Sequence, residues 1–149
     1  MSYDGVDEAF SATAACSGIT AYSALKKLKH LKSDQTVLII GAGGVGLAAV
    51  GMAKAVLKSR IIVADVDPLK REAALKASAD EVIDSGKRRI IKELLKETDD
   101  VPYGVVDFVG APATCSFGFQ VLAKGRTLVV VGLYGRSMDL SLSMLPHLK

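Results

Sequence analysis

The sequence contains few cysteines and only a small excess of one charge. Its two cysteines, Cys16 and Cys115, lie far apart in the chain. Cysteines at this spacing indicate neither a disulfide framework nor a self-contained metal-binding knuckle. The net charge is +3, from 19 basic and 16 acidic residues. This excess is too small to indicate a nucleic-acid partner, and a few lysines beside an anionic ligand account for it.

Signals for secretion and for membrane insertion are also missing. The amino end, MSYDGVDEAF, is acidic and lacks the apolar core of a signal peptide, so we expect a reducing, cytoplasmic location. The uncharged run 36–53 contains five glycines and is shorter than the ~20 apolar residues of a membrane-spanning helix. We therefore expect no membrane partner. The 50% of residues that are hydrophobic suit a parallel sheet covered by helices on both faces.

The stretch 36–65 has the pattern of a strand, a tight turn, a helix and a second strand. An apolar run precedes three glycines in the G-x-G-x-x-G spacing, at Gly41, Gly43 and Gly46, and Gly44 lies in the same turn. In dinucleotide-binding proteins the first glycine allows the turn, the second leaves room for the pyrophosphate and the third lets helix and strand pack closely. The pattern predicts a pyrophosphate at the free N–H groups of the helix start.

An acidic residue ends the second strand of this unit. Asp65 follows the apolar run 61–64 and stands where a carboxylate accepts hydrogen bonds from the ribose hydroxyls of an adenosine. Val66 comes next, so no adjacent arginine offsets the repulsion between Asp65 and a 2′-phosphate. We therefore predict NAD rather than NADP as the cofactor. Asp67, directly before Pro68, is predicted to cap a helix rather than to bind the cofactor.

The glycine motif by itself is a weak signal. Glycines also cluster in ordinary turns and in methyltransferase folds. Here a strand precedes the glycines, a helix follows them and Asp65 lies at the expected distance, and this combination favours dinucleotide binding.

Strands and helices alternate along the rest of the chain. Further strands are predicted over 81–84, 104–109 and 127–131, and helices over 20–31, 68–77, 87–98 and 113–123. The helix over 87–98 is expected to bury Ile90, Ile91, Leu94 and Leu95. Such alternation requires right-handed crossovers between parallel strands. We therefore predict an α/β fold of the Rossmann type, with a doubly wound parallel sheet in three αβα layers.

The predicted helix over 20–31 has one apolar side. The apolar positions that share this side are Ala21, Leu25, Leu28 and Leu31. Most of the lysines lie elsewhere on the helix, at Lys26, Lys27, Lys29 and Lys32. Lysines in this arrangement are typical of a solvated surface rather than of a binding patch.

The doubly wound strand order 3-2-1-4-5-6 requires six strands, and we predict five. The segment 139–145 alternates at period two and is a candidate for an extended segment beside the sheet, but Pro146 follows it. We therefore expect the last strand to be missing. The fifth strand then has an exposed edge, and we hypothesise a homodimer contact through this edge or through Leu140 to Leu145.

Several segments together resemble one protein family. They are ACSGITAYSAL from Ala15, VLIIGAGGVGL from Val37, VADVDPLK from Val63, DFVG from Asp107 and LAKGRTLVVVGLYG from Leu122. In order and spacing they resemble the nucleotide-binding half of the zinc-type medium-chain dehydrogenases/reductases, the alcohol dehydrogenase family. The resemblance implies that residues 1–35 lead from a catalytic domain before residue 1, and that residues 36–149 form an NAD-binding Rossmann domain.

The resemblance also implies further cofactor contacts. Thr20 and Val45 would flank the nicotinamide, and Lys70 would lie beside Asp65 near the adenosine ribose. The strand ends are expected to line the cofactor cleft, at Phe108, Val109, Gly110, Gly132 and Leu133. Core packing is an equally good interpretation of the three apolar residues in this set, and the two glycines also suit simple turns.

The same resemblance implies a zinc ligand. Cys16 stands where the zinc enzymes have a ligand of the catalytic metal, and thiolate is a preferred zinc ligand. From spacing alone Cys16 would be a small buried residue. Cys115, His30 and His147 do not supply the remaining ligands, so we expect Cys16 to bind zinc only in a full-length enzyme and to be an unpaired thiol here. No complete catalytic set is present in this chain.

The function implied is the NAD-binding domain of a zinc-dependent alcohol dehydrogenase. Hydride would pass between NAD and a small alcohol, aldehyde or ketone, which the sequence does not identify. The chain alone is expected to be inactive. One alternative is a zinc-free quinone or enoyl reductase of the same superfamily, although these prefer NADPH, and Cys16 and Asp65 both argue against it. Another is an NAD(H)-sensing regulatory module, which would require an effector domain.

Overall fold

A computed structural model describes residues 11–12, 14–96, 101–135 and 137 of the protein. Its centre is a parallel sheet of five strands in the order β3-β2-β1-β4-β5. The strands are β1 (Thr36–Ile40), β2 (Arg60–Ala64), β3 (Glu81–Ile83), β4 (Gly104–Asp107) and β5 (Thr127–Val130). No helix within the described ranges is long and apolar enough to cross a membrane.

The helices connect successive strands. They are α1 (Ile19–Lys26), α2 (Gly44–Val56), α3 (Pro68–Lys76), α4 (Ile90–Lys96) and α5 (Pro112–Val121), and a π-helical turn over Ala14–Gly18 precedes α1. Strand β1 lies at the centre because it pairs with β2 on one side and with β4 on the other. The strand order reverses at β1, which is the topological switch point of a doubly wound fold. The predicted α/β Rossmann class is therefore confirmed.

Two hydrophobic clusters cover the two faces of the sheet. One joins Leu25 of α1, Val50 of α2 and Ala74 of α3 to inward side chains of the strands. The other joins Leu94 of α4 and Phe117 of α5 to the opposite face. All five residues of β1 are buried, as expected for a central parallel strand with helices on both sides. The predicted three layers are present.

The helix predicted over 20–31 is shorter than expected, but its buried side is as predicted. Helix α1 ends at Lys26, and turns cover 27–30 because the amides there bond three residues back, as Leu28 does to Leu25. The predicted apolar side is fully in the core, with Ala21, Leu25, Leu28 and Leu31 all buried. The predicted surface lysines are exposed at Lys26, Lys27, Lys29 and Lys32. The division at residue 35 stays a prediction.

Helix α4 begins at Ile90, later than the helix predicted over 87–98. Asp84 Oδ1 accepts a hydrogen bond from the Gly86 amide, and the turns that follow delay the helix start to Ile90. Ile90 and Leu94 are buried as predicted, Ile91 is half-buried, and Leu95 is exposed. The expected burial of Leu95 is wrong, because a helix in an outer layer faces the sheet with one stripe only.

Three strands end earlier than predicted. Strand β3 stops at Ile83, β4 at Asp107 and β5 at Val130. Strand β4 stops because the Asp107 side chain accepts hydrogen bonds from the amides of Val109 and Gly110. These two amides therefore do not pair with a neighbouring strand. Helix α5 starts at Pro112 and ends at Val121 rather than spanning 113–123.

The outer edge of β5 bears on the predicted homodimer contact. Within the described ranges no strand pairs with this edge, and Val130 is 48% exposed. The segment 139–145, and with it Leu140 to Leu145, lies outside the described residues. The homodimer stays a prediction.

Candidate cofactor-binding site

A crevice of ≈ 310 Å³ opens above the carboxyl ends of β1, β2 and β4. Its lining consists of Gly41, Gly43, Gly44, Val45, Gly46, Asp65, Lys70, Phe108, Val109 and Tyr134. Nine of these ten residues were predicted from the sequence as cofactor contacts. The crevice lies at the topological switch point, where open α/β sheets bind their ligands.

The glycine turn between β1 and α2 has the geometry that close helix packing requires. Gly41 has a φ of +90°, a backbone conformation that side chains other than glycine rarely adopt. A Cβ atom at Gly46 would lie 1.9 Å from the carbonyl oxygen of Gly41. Helix α2 therefore approaches the end of β1 more closely than any residue with a side chain would allow.

The start of α2 presents unused hydrogen-bond donors to the crevice. The first helical bond runs from the Leu47 amide to the Gly43 carbonyl at 2.8 Å, so the N–H groups of Gly44, Val45 and Gly46 precede it. These three groups have no acceptor within the helix. No described side chain caps the helix, and a Cβ at Gly43 would meet nothing within 4 Å. The space in front of α2 suits an anion.

Asp65 braces two turns that border the crevice. Its Oδ2 accepts a hydrogen bond from the Ala42 amide at 2.8 Å, and its Oδ1 accepts one from the Asp67 amide at 2.9 Å. The residue is only 8% exposed. A carboxylate oxygen accepts more than one hydrogen bond, so both oxygens retain acceptor capacity toward the crevice. Asp65 thus holds the glycine turn and also lines the crevice.

The neighbouring helix α3 adds a cap and two basic side chains. Asp67 Oδ1 accepts a hydrogen bond from the Leu69 amide at 2.8 Å, so the predicted helix cap is confirmed. Lys70 is exposed at the crevice. Arg71 donates to the Asp65 carbonyl at 2.8 Å and lies 3.7 Å from Asp84 Oδ1, and it does not line the crevice.

The opposite wall depends on two glycines that touch. A Cβ at Gly110 would lie 1.8 Å from the carbonyl oxygen of Gly132, and one at Gly132 would lie 2.2 Å from the carbonyl carbon of Val109. Neither glycine lines the crevice; they let the segments after β4 and β5 pack together behind it. The two glycines therefore have a packing role that a simple turn does not require.

Four of the predicted cofactor contacts lie outside the crevice lining: Gly110 and Gly132, described above, and Thr20 and Leu133. Thr20 lies in α1 and does not line the crevice. Leu133 does not line it either and is 90% exposed, so core packing is wrong for this residue. The chain leaves the sheet after Val130, and no described element covers Leu133. Phe108 and Val109 are half-buried at the crevice and serve both packing and lining.

Two residues of the site were missed. Tyr134 lines the crevice and is 86% exposed, and nothing in its sequence context distinguishes it from loop. Asp107 is fully buried beneath the wall. The signal for Asp107 was available, because an acid at the end of a buried apolar strand is the same pattern that pointed to Asp65.

The two cysteines have opposite environments. Both are free thiols; Cys16 is exposed, so the expectation of a buried residue is wrong, and Cys115 is buried. Cys16 lies in the π-helical turn, which with α2 borders an apolar groove of ≈ 620 Å³. Burial, together with the nearby carboxyl of Asp107, raises the pKa of the Cys115 thiol to about 11.

The described residues do not form a zinc site. They contain no group of three His, Cys, Asp or Glu side chains that could hold a metal. A tetrahedral zinc site needs three or four protein ligands, and Cys16 is a single exposed thiol. The residues of this part of the chain therefore do not fit zinc by themselves.

The sheet order, the glycine turn and the acid at the end of β2 define a dinucleotide-binding α/β domain. A family model for zinc-binding dehydrogenases matches residues 44–149. The chain belongs to the zinc-binding dehydrogenase family, and the resemblance seen in the sequence is confirmed.

Individual relatives agree with this assignment. The NAD-dependent alcohol dehydrogenase of Saccharolobus solfataricus is 38% identical over 125 residues, which are 83% of this chain and 36% of the relative. The alcohol dehydrogenase structure from Aeropyrum pernix matches with a TM-score of 0.81 at 32% identity, over 90% of this chain and 39% of that one. Acetophenone reductase from Geotrichum candidum, solved in complex with NAD, matches with a TM-score of 0.81 at 26% identity, over 96% and 39%. The chain thus spans well under half the length of these proteins.

Proposed function

We propose that the crevice binds NAD and that the chain is the cofactor domain of an alcohol dehydrogenase. The single observation that carries the proposal is the set of three helical N–H groups that face an open space beside Asp65. The pyrophosphate binds at these N–H groups, where the helix dipole favours an anion. Asp65 accepts hydrogen bonds from the adenosine ribose, and Lys70 lies beside it.

The nicotinamide half extends across the switch point toward β4. In a doubly wound sheet the two halves of a dinucleotide lie on opposite sides of the central strand. With the adenosine above β2, the second nucleotide would lie against the wall formed by Phe108 and Val109, with Val45 on the helix side; all three residues line the crevice. Thr20, Gly110, Gly132 and Leu133 stay predictions as cofactor contacts.

Cofactor choice provides the first test. A 2′-phosphate would bring negative charge against Asp65, which is buried and already holds two backbone amides. We expect NAD⁺ to bind at least about tenfold more tightly than NADP⁺, a difference of ~1.4 kcal/mol. Isothermal titration of the chain with each cofactor measures this ratio. Equal or tighter binding of NADP⁺ would contradict it.

The activity of the complete protein is a further proposal. The relatives named above support a hydride transfer between NAD and a small alcohol or carbonyl compound. NAD, when bound, would supply the hydride chemistry, and this chain would orient the cofactor and form one side of the cleft. In this proposal the groups that bind the substrate, and the zinc ligands other than Cys16, would lie in the part of such an enzyme that this chain does not span.

We therefore expect no turnover by this chain alone. NADH formation from a panel of primary and secondary alcohols, with and without added Zn²⁺, is followed by absorbance. Binding of NAD⁺ without turnover is the expected result. Metal-dependent alcohol oxidation by the purified chain would show that it holds a complete active site. The cytoplasmic location stays a prediction from the sequence.

A further inference from the structure

The carboxyl group of Asp107 is fully buried beneath the crevice wall. The residue has no solvent exposure, and it lies at the carboxyl end of β4, next to the central strand. A buried carboxyl group is stable only when its oxygens have hydrogen-bond partners. The positions of these partners indicate what the group does.

One oxygen of Asp107 holds the crevice wall. Its Oδ1 accepts hydrogen bonds from the Val109 amide at 2.8 Å and from the Gly110 amide at 3.0 Å. Both donors belong to the segment that follows β4, and Val109 itself lines the crevice. These two bonds determine the direction in which the wall leaves the sheet.

The other oxygen is anchored to helix α5. Its Oδ2 accepts hydrogen bonds from the Thr114 hydroxyl at 2.8 Å and from the Cys115 thiol at 3.2 Å. The Thr114 hydroxyl also accepts a bond from the Ala111 amide at 3.0 Å. Helix α5, behind the wall, therefore fixes the orientation of the carboxyl group. Through the two bonds to Oδ1, the carboxyl group in turn fixes the position of the wall.

The main chain of Asp107 extends the same connection to the segment after β5. Its carbonyl accepts hydrogen bonds from the amides of Val131 at 2.8 Å and of Gly132 at 3.2 Å. Gly110 in turn accepts a bond from the Gly135 amide at 2.8 Å. The two segments thus form one wall, and Asp107 lies at its base.

We propose that Asp107 is a positioning residue for the nicotinamide half of the cofactor, acting through the wall at Phe108, Val109 and Gly110. The inference rests on the proposed NAD binding. It assigns different jobs to the two strand-end acids: Asp65 serves the adenosine side above β2, and Asp107 shapes the wall above β4. Asp107 does not itself touch the cofactor.

The test compares a complete dinucleotide with its adenosine half. Isothermal titration of the 149-residue chain with NAD⁺ and with AMP is carried out for wild type and for Asp107→Ala. The substitution removes both bonds that hold the wall. We expect the dissociation constant for NAD⁺ to rise about tenfold, whereas that for AMP changes less than about twofold.

Two gentler variants keep the test valid if Asp107→Ala does not fold. Asp107→Asn keeps the shape but leaves a single acceptor oxygen for two pairs of donors, and Thr114→Val removes one anchor of Oδ2. Both are expected to weaken NAD⁺ binding by about threefold without weakening AMP binding.

The matched control is Asp80→Ala. Asp80 accepts a hydrogen bond from the Ile61 amide at 2.6 Å and pairs with Lys54, at the opposite edge of the sheet. Its loss should lower the Tm but leave both affinities unchanged. This control separates a general loss of stability from a displaced wall.

The outcomes are distinct. A selective loss of NAD⁺ affinity in the Asp107 and Thr114 variants supports the positioning role. Equal losses of NAD⁺ and AMP affinity in these variants, or unchanged affinities for both, would overturn the positioning role. The proposed function would still stand in that case, provided that the wild-type chain binds NAD⁺. Failure of the wild-type chain to bind NAD⁺ would refute the proposed function, and this inference with it.

Discussion

At the scale of single residues, two glycines in α2 show that the same residue type has different roles at different positions. A Cβ at Gly46 would lie 1.9 Å from the Gly41 carbonyl oxygen, whereas a Cβ at Gly51 would meet nothing within 4 Å. Gly46 is required by close packing at the crevice. Gly51 is an exposed helix position at which glycine only lowers helix stability.

The two glycines therefore provide a paired prediction. Gly46→Ala should lower the free energy of unfolding by about 3 kcal/mol or more, because the new methyl group meets backbone that cannot rotate away. Gly51→Ala should raise it by about 0.5–1 kcal/mol. Urea unfolding at equilibrium measures both. Similar effects of the two substitutions would mean that the close approach of α2 to β1 is wrong.

Cys115 gives a prediction about pH. Burial, followed by the hydrogen bond to and the charge of Asp107, raises the pKa of its thiol from 9.0 to about 11 in the folded state. The folded state therefore keeps a proton that the unfolded state loses between these values. The stabilisation, about 3 kcal/mol for this rise in pKa, is complete below about pH 9 and is lost as the pH rises through about 11.

Urea unfolding of wild type and Cys115→Ala at pH 8 and pH 10.5 checks this difference. Other groups titrate in both proteins, so only the difference between them reports on Cys115. The difference in free energy of unfolding between wild type and Cys115→Ala should be smaller at pH 10.5 than at pH 8. A difference that stays constant, or that grows in favour of wild type, would contradict the raised pKa.

The residues of the site were predictable to the extent that they belong to a local pattern. Gly41, Gly43, Gly46 and Asp65 lie in one strand-turn-helix-strand unit, and all four line the crevice. The acid at the end of β4, Asp107, was visible in the sequence, but its role beneath the wall was not predictable, because its partners are brought together by contacts between separate segments. Such contacts leave no periodic signal in the sequence.

At the scale of elements, the start of α3 depends on one side chain. Asp67 has an extended backbone, its Oδ1 accepts from the Leu69 amide, and Pro68 occupies the first helical position. Asp67→Ala should lower the free energy of unfolding by about 1 kcal/mol, and Asp67→Ser should restore most of it because a hydroxyl also caps. Thermal unfolding followed by circular dichroism compares the two. Equal losses in the two variants would show that the capping hydrogen bond contributes nothing to the free energy of unfolding.

The existence and order of elements were better predicted than their ends. Hydrophobic periodicity identified every strand of the described sheet. The ends were set by side chains that compete for backbone amides, as Asp84 does before α4 and Asp107 does after β4. A hydroxyl or carboxyl group that turns toward the backbone ends an element without changing the apolar pattern.

At the scale of the whole molecule, the segment before β1 belongs to the core. Leu28 is fully buried, and a Cβ at Gly104 would lie 2.8 Å from its Cδ1, so Leu28 packs directly over β4. Leu25 and Leu31 join the same cluster. The predicted linker and the Rossmann domain therefore share one hydrophobic core.

Leu28→Ala should accordingly lower the free energy of unfolding by about 3 kcal/mol, through lost burial and an unfilled cavity. The adjacent Lys29→Ala, at an exposed position, should change it by less than about 0.5 kcal/mol. Equilibrium unfolding in urea distinguishes the two. A small effect of Leu28→Ala would indicate that residues before 36 are dispensable for the fold.

The central claim is that the turn before α2 binds the pyrophosphate of NAD, and Gly43 tests it most directly. Its backbone is extended, with φ −75°, and a Cβ there would meet nothing within 4 Å, so Gly43→Ala should fold with an unchanged Tm. The added methyl group would project toward the pyrophosphate. Titration with NAD⁺ should show a loss of at least about tenfold in affinity relative to wild type. Wild-type affinity in this variant, or no binding by the wild-type chain, would contradict the account.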